Sequence, residues 1–595
     1  MPFVMSTDGY GIWLDSFEPA VFDLDATSRF GTTIRCSTDA FRIVFFGGPA
    51  LSDVLEAFTN HTGRPVVPPP WAFGLWKSRD VHHNRDSVLL DAKNLRRFGI
   101  PASVLVLDSP WETGYNDFQV NRKQFQDPES MFGQIQENGF QLCLWLTPFV
   151  NTRNVIDMQG ISDRSGNFDE AKEYLVKDGK GTVAEMDWWK GRGGLIDFTD
   201  SAATAWWHRQ LLKTKIYGAR AFKVDDGEGN FVPDAVFSDG SGVTEMKNRY
   251  GTLYNAAMQK YIDEFLGGDG VLITRSGATG TQRYPFSWAG DNRADFSFSD
   301  GLPSVILAGQ NAALSGISLW GSDIAGYAGT PSKELFIRWT QHSVFTPFMQ
   351  VHMTSNLGPW DFGEEALEIF RKFAVLRSQL FPYLYQFVHE AAATGMPVIR
   401  PMVLAFQNDP DSYRHVYQYM FGTDFLVAPM YQPGTSRSVY IPAGNWFDYW
   451  NGTRLSGPAT IEVNAPLDQI PLFVREGAMI PMIPPDVETL VKKNSTLNAD
   501  VQCLDDRRII QVWPGAKGGM TTWDGLNVKM QVDGNKRSLS VTAEPARPLE
   551  IQLAHVPAKN VFSNSGGRIR KNPVIPGYVV SYDGSQRDVI VQWDE

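Results

Sequence analysis

The sequence predicts a large α/β protein built on a (β/α)8 TIM barrel, with an inserted subdomain, a short N-terminal β domain and two C-terminal β-sandwich domains. Three observations carry this. Short apolar runs alternate with stretches of helical period through the middle of the chain. Eight such runs fit into roughly 310 residues, the number a closed parallel barrel needs. Both flanks switch to short strands punctuated by Gly, Pro and Asn. A doubly wound open sheet is the alternative for the middle.

Taken in order, residues 1–70 read as strands and hairpins, as in "YGIWLDSFEPAVFDLDATSRFGTTIRC", closed by "RPVVPPPW". Prolines at that density continue neither a ladder nor a helix, so the stretch reads as a stiff linker. Residues 71–390 supply the eight candidate barrel strands: "AFGLWKSRD", "ASVLVLDS", "FQLCLWLTPFV", "ARAFKVDDGE", "GVLITRSG", "PFSWAGDN", "GISLWGSDIAG" and "PFMQVHM". Amphipathic stretches such as "RDSVLLDAKNLRRFG" lie between them. The interruption at about 151–194, containing "MDWWKGRGG", is too long for a bare connection and predicts a subdomain over the barrel mouth. Beyond about Ala391 the pattern is all-β, dividing into 391–480 and 481–595.

Composition narrows the function classes. A net charge of −12 with no long basic run argues against nucleic acid as a partner. The three cysteines, Cys36, Cys143 and Cys503, are too scattered for a disulfide framework or a metal cluster. No apolar run approaches about 18 residues and the start lacks a basic leader, so no membrane partner and a cytoplasmic location are expected, from an N-terminus that looks truncated. The 13% aromatic content suits a ligand with flat apolar faces, although core packing explains any single ring as well.

In a barrel of this kind, chemistry belongs at the C-terminal ends of the strands. Those ends offer Lys77, Arg79 and Asp80; Asp108; Trp145; Lys223 and Asp225; Arg275; Trp288 and Asp291; Trp320 and Asp323; and His352. Each alone could be a cap, an ion pair or a core ring. Their convergence is what points to a site, because buried charge is costly unless paired or used. Alternation along "FKVDD" turns Lys223 and Asp225 to one face and Asp226 to the other, and the Lys223 cation is expected to keep Asp225 ionised. Asp291, after the apolar "FSWAG", is expected to hold its proton. Carboxylates in such contrasting settings suit a nucleophile and a proton donor.

At these residues the chain resembles glycoside hydrolase family 31, the retaining α-glycosidases. "FKVDDGEG" is similar to the family's nucleophile strand and "RSGATGTQRYPFSWAGD" to its arginine-to-acid segment, with "TGRPVVPPPWAFGLW", "GLIDFTD" and "LWGSDIAGY" in the family's order. The resemblance implies Asp225 as nucleophile and Asp291 as acid/base. It implies Asp108, Arg275, Asp323 and His352 as ligands of the terminal sugar's hydroxyls and Trp145 and Trp288 as pocket walls; Lys223, on the inward face of its strand, is a further candidate for contacting the substrate. It implies no metal and no cofactor, and an oligosaccharide or α-glycoside substrate. An α-glucoside is the leading substrate. An α-xyloside, an α-galactoside, or a sulfonated sugar taken by the cationic "KSR" are alternatives, as is a non-catalytic carbohydrate-binding relative. Asp226 departs from the family, where that position is commonly apolar or aromatic.

Overall fold

The computed structural model describes residues 1–27, 31–38, 40–515, 518–563 and 566–594. The parts of the N-terminal and distal β expectations that fall on 28–30, 39, 516–517, 564–565 and 595 lie outside the described residues.

The middle of the chain closes into a parallel eight-stranded barrel. Its strands are β1 (Trp76–Lys77), β2 (Val104–Leu107), β3 (Gln141–Leu146), β4 (Ala219–Val224), β5 (Val271–Thr274), β6 (Phe286–Trp288), β7 (Trp320–Asp323) and β8 (Phe348–Val351). β8 pairs with β1 through Gln350 opposite Trp76, which closes the ring. Each of the eight predicted runs contains one strand. "VLVL" and "VLIT" are buried along their whole length because they face the barrel interior on one side and helices on the other.

The outer layer contains α1 (Arg85–Arg97), α2 (Pro128–Glu137), α3 (Ser201–Lys215), α4 (Val243–Leu266), α5 (Leu302–Leu314) and α6 (Lys333–Val344). After β8 come α7 (Glu364–Gln379) and α8 (Phe381–Thr394). Local chemistry fixes several starts. The Asn84 side chain accepts from Ser87 N at the head of α1, Asp200 from Ala202 N at α3, and Ser332 from Leu335 N at α6. Between β5 and β6 the connection holds only a short 3-10 turn, Thr281–Arg283.

The insert is a three-stranded antiparallel sheet. Strand Gly191–Leu195 lies between Phe149–Asn154 and Met186–Trp188, and Trp189–Lys190 forms the tip of the hairpin. Trp188 anchors it: the ring stacks on Phe149 with centroids 4.5 Å apart, and its Nε1 donates to Asn151 Oδ1 at 2.8 Å.

The N-terminal region has the expected strands, Phe3–Ser6, Tyr10–Asp15 and Arg42–Gly47 in one sheet and Ala20–Leu24 with Thr32–Cys36 in another. It also contains a helix, Leu51–Thr62, within the stretch read as purely β. Leu51, Val54, Leu55 and Phe58 recur at helical spacing and are buried against Phe3, Trp13 and Phe46, so packing of that apolar stripe supports the helix. On the C-terminal side, one six-stranded antiparallel sheet runs from Ile399–Pro401 to Leu472–Arg475 in sequence. It is followed by two five-stranded sheets that share a core including Val528, Val541, Ile551 and Val591. Strand Met479–Met482 already pairs with Arg508–Val512, so the second unit begins just before the anticipated division.

Candidate active site

A cavity of about 380 Å3 opens at the C-terminal end of the barrel. Seven of the residues offered at the strand ends line it: Asp80, Asp108, Lys223, Asp225, Arg275, Asp291 and His352. Trp145, Trp288 and Asp323 stand behind that wall and act on it from there.

Asp225 follows directly from β4, and its backbone N–H donates to Leu146 O, extending the β3–β4 ladder by one residue. Its carboxylate is firmly held. Oδ2 accepts from Trp145 Nε1 at 2.8 Å, while Oδ1 accepts from Asp226 N at 2.9 Å and from Arg275 Nη1 at 3.2 Å. The cation hydrogen-bonded to Asp225 is therefore Arg275, and Lys223 acts on it through its charge and not through a bond. Lys223 Nζ donates to Asp108 Oδ2 at 2.8 Å and lies 3.2 Å from His352 Nε2, because the side chain leans toward β2 and β8. Burial alone would lower the Lys223 ammonium, but the charges of Asp108, Asp225 and Asp323 push it up. Burial raises Asp108 to about 6 against the pull of Lys223.

Asp291 also differs from its sequence reading. Its side chain is 42% exposed, and Oδ2 accepts from Arg275 Nη1 at 3.0 Å, the same nitrogen that serves Asp225. The apolar stretch before it is real, but the strand ends at Trp288 and the chain emerges toward solvent before Asp291 is reached. Arg275 further donates through Nε to Glu228 Oε1 at 2.5 Å. One guanidinium thus ties together carboxylates from the β4 and β6 loops.

Asp226 also lines the cavity, where the pleat would have turned it away. Its φ of 56° lies in the left-handed region, so strand alternation ends at this residue. Both of its carboxylate oxygens accept from Trp189 Nε1, at 3.2 and 3.0 Å. Burial, with the neighbouring charges of Asp225 and Glu228, pushes it up to about 8.

Several buried polar atoms have no hydrogen-bond partner among the described residues: Asp323 Oδ2, His352 Nδ1 and Trp288 Nε1. Asp323 accepts from Gln350 Nε2 at 2.7 Å through its other oxygen, and burial pushes it up to about 7. His352 is driven well below its ordinary value, first by burial and then by Lys223, and its ring stacks on Tyr327 with centroids 5.0 Å apart. Lys223 Nζ lies 5.3 Å from the centre of the Trp288 ring.

The β1 end divides in two. Lys77 lies 3.2 Å from Asp91 of α1, Arg79 engages both Asp91 oxygens at 2.8 and 2.7 Å, and His82 is 3.3 Å away. Burial would raise Asp91, yet Lys77, His82 and Arg79 hold it far below the usual carboxylate range. These cations serve the fold, and the reading of "KSR" as an anion receptor is corrected. Asp80 does line the cavity, accepting from Tyr327 Oη at 2.7 Å. Sequence reasoning did not place Trp189, Lys190, Asn230, Phe231 or Tyr327 at the site. The "DWWKG" aromatic pair was the available signal for the first two.

Among the described residues, no group of three or more His, Cys, Asp or Glu is arranged to hold a metal ion, and no helix is long and apolar enough to cross a membrane. A closed barrel with carboxylates gathered on one arginine at its C-terminal mouth defines a barrel protein equipped for acid–base and nucleophilic chemistry.

The chain belongs to glycoside hydrolase family 31. The family's TIM-barrel domain matches residues 65–387 and its C-terminal domain residues 395–480. The isomaltosyltransferase of Sporosarcina globispora is 32% identical over 529 residues, covering 81% of this chain and 48% of that one. α-Glucosidase 2 of Bacillus thermoamyloliquefaciens is 30% identical over 628 residues, 99% of this chain and 75% of its own length. The structure of the Listeria monocytogenes cycloalternan-forming enzyme in complex with a pentasaccharide substrate superposes with a TM-score of 0.87 at 26% identity, covering 100% of this chain and 61% of that one. The chain thus spans about half to three quarters of the length of these relatives.

Proposed function

We propose that this protein is an exo-acting retaining α-glycosidase that removes a terminal neutral sugar, with α-glucosides preferred, and that Asp225 is its nucleophile and Asp291 its acid/base. The observation that carries this reading is the single Arg275 nitrogen shared by both carboxylates. Their bonded oxygens can be no further apart than those two contacts laid end to end. That closeness places the two carboxylates beside each other at the cavity, as the retaining arrangement with carboxyls about 5 Å apart needs.

The steps follow from the contacts. Trp145, Arg275 and the Asp226 N–H fix Asp225 so that an oxygen attacks the anomeric carbon as the C1–O bond to the leaving group breaks. Asp291 gives its proton to the departing oxygen. It then takes a proton from the water that displaces Asp225, returning the enzyme to its starting state. Lys223 and Asp108, together with the unpaired Nδ1 of His352, supply donors and acceptors for the hydroxyls of the bound sugar. Two carboxylates suffice for this chemistry without a cofactor.

A neutral sugar is favoured because six carboxylates line the cavity against three cations, and each cation is already paired: Lys190 with Asp157, Lys223 with Asp108, and Arg275 with Asp225, Glu228 and Asp291. Asp80 and Tyr327, next to Asp108 and Ser109, give the wall hydrogen-bonding capacity that suits a C6 hydroxymethyl. Leaving such groups unpaired costs roughly 1–3 kcal/mol, so kcat/KM for an aryl α-glucoside should exceed that for the matching α-xyloside about tenfold. Equal or reversed rates would remove the glucoside preference. Failure to turn over any aryl α-glycoside would favour the non-catalytic reading.

A further inference from the structure

Strand β3 runs past its neighbour on one side. The β2–β3 ladder ends at Leu107 opposite Leu144, whereas β3 stays paired with β4 as far as Leu146 opposite Val224. Residues 145–149 therefore lie beyond the β2 ladder, and their buried main-chain groups on that side need other partners. Two side chains from the loop after β2 supply them. Trp111 Nε1 donates to Trp145 O at 2.7 Å. Asn116 Oδ1 accepts from Thr147 N at 3.1 Å, and its Nδ2 donates to Thr147 Oγ1 at 2.9 Å and to Phe149 O at 2.7 Å. All five of these residues are buried.

The loop holds Asn116 in an unusual backbone conformation. Residues 111–121 fold back as a hairpin, with Asn121 N donating to Trp111 O and Thr113 N to Gln119 O, both at 2.9 Å. Asn116 and Phe118 have φ of 60° and 57°, in the left-handed region that a bulky residue rarely enters. The buried Glu112 carboxylate fixes both, since Oε2 accepts from Asn116 N at 3.0 Å and Oε1 from Phe118 N at 2.8 Å. Asn116 O accepts in turn from Asn167 Nδ2 at 3.0 Å. Strained backbone that its surroundings over-determine points to a functional constraint. Yet Trp111, Glu112 and Asn116 form no part of the cavity lining.

Between them and the cavity is the short stretch that grips Asp225. Trp145 Nε1 donates to Asp225 Oδ2 at 2.8 Å, and Leu146 O accepts from Asp225 N at 3.0 Å. Trp111 and Asn116 fix the main chain on either side of Leu146, at Trp145 and at Thr147.

We infer that Asn116, with Trp111, is a positioning residue for the nucleophile. The two side chains continue the β2 edge of β3 past the end of its ladder, and so hold Trp145 and Leu146 where they orient the Asp225 carboxylate. The inference rests on the glycosidase reading above and adds to it groups that touch no substrate. Attack needs a carboxylate oxygen aligned with the anomeric carbon, and a misplacement of about 1 Å costs on the order of 100-fold in rate.

The test separates positioning from folding. Asn116→Gly removes every side-chain bond while suiting the left-handed backbone. Trp111→Phe keeps a ring and removes the indole donor, and Trp145→Phe removes the bond to Asp225 itself. Asn116→Gly should lower kcat for 4-nitrophenyl α-glucoside roughly tenfold or more. The inhibition constant of glucose, whose binding needs no attack by Asp225, should change less than about twofold. Trp111→Phe should do the same in smaller measure, and it carries the test if Asn116→Gly protein does not fold. In a Trp145→Phe background, Asn116→Gly should lower kcat by no more than about threefold, because the bond through which it acts is already gone. Equal losses in the two backgrounds, a weakening of glucose that matches the loss in kcat, or an unchanged kcat would overturn the proposal. A wild-type protein without turnover would refute the glycosidase reading instead, and proton NMR would then decide the positioning by itself. The Trp145 indole proton, identified by its absence from Trp145→Phe protein, should move upfield in Asn116→Gly protein as its bond to Asp225 weakens; an unmoved resonance would overturn the proposal.

Discussion

At the scale of single residues, two adjacent aspartates with opposite surroundings divide the work. Asp225 receives Trp145, Arg275 and a backbone N–H, whereas the Asp226 carboxylate receives the Trp189 indole and is pushed up to about 8 by burial beside two other carboxylates. Asp225→Ala should therefore abolish turnover of aryl α-glucosides while leaving the circular dichroism and melting curve native-like, because it deletes the proposed nucleophile without opening the core. Asp226→Ala should retain turnover of substrates with small leaving groups; exchanged phenotypes would reverse the assignment. The identity of the two residues was legible in "FKVDDGEG", and alternation correctly turned Asp225 inward. The left-handed φ that brings Asp226 to the same cavity was not, because nothing in a strand-like pattern announces where the pleat ends. The hydrogen-bonded partner of Asp225 was not legible for a related reason: Lys223, nearer in sequence, acts on it only by charge, and Arg275 is the cation that bonds it across the β4–β5 gap.

At the scale of elements, β1 and α1 are joined by a buried knot of Lys77, Arg79, His82 and Asp91. Asp91→Ala should cost about 3–5 kcal/mol, since it leaves the Lys77 charge buried without its partner, and a lowered urea midpoint would register the loss. The folded Asp91 carboxyl lies below its unfolded value, so its contribution is present above about pH 4 and is lost as pH falls further. The wild-type and Asp91→Ala midpoints should accordingly converge in acid, and a constant gap down to the lowest measurable pH would contradict this account. The eight barrel strands were readable because parallel strands buried on both faces are short apolar runs with sharp ends. The helix at Leu51–Thr62 was missed because the surrounding text is β-like, although Leu51, Val54, Leu55 and Phe58 carried the helical period. The insert was located by its length, but the position of its tip depends on a contact across 37 residues of sequence that no local pattern encodes.

At the scale of the whole molecule, the site imposes a pH-dependent cost on the fold. Asp108, Asp323 and Asp226 are pushed up to about 6, 7 and 8, chiefly by burial. Unfolded carboxylates titrate near about 4, so the native state binds protons more tightly than the unfolded chain, and stability falls as pH rises from there through about 8. The thermal midpoint should decline between about pH 5 and pH 9, and Asp226→Asn, which cannot ionise, should decline less. Parallel curves for the two proteins would contradict that assignment. This cost is the one expected of a barrel that buries ionisable groups for use at its mouth, and the barrel, insert and flanking sheets together hold those groups in place. The central claim is that Asp225 and Asp291 act by double displacement, and stereochemistry tests it most directly. Proton NMR of the first-formed sugar during hydrolysis of 4-nitrophenyl α-glucoside should show the α anomer appearing first, with the β anomer growing in only as mutarotation proceeds; initial release of the β anomer would contradict it.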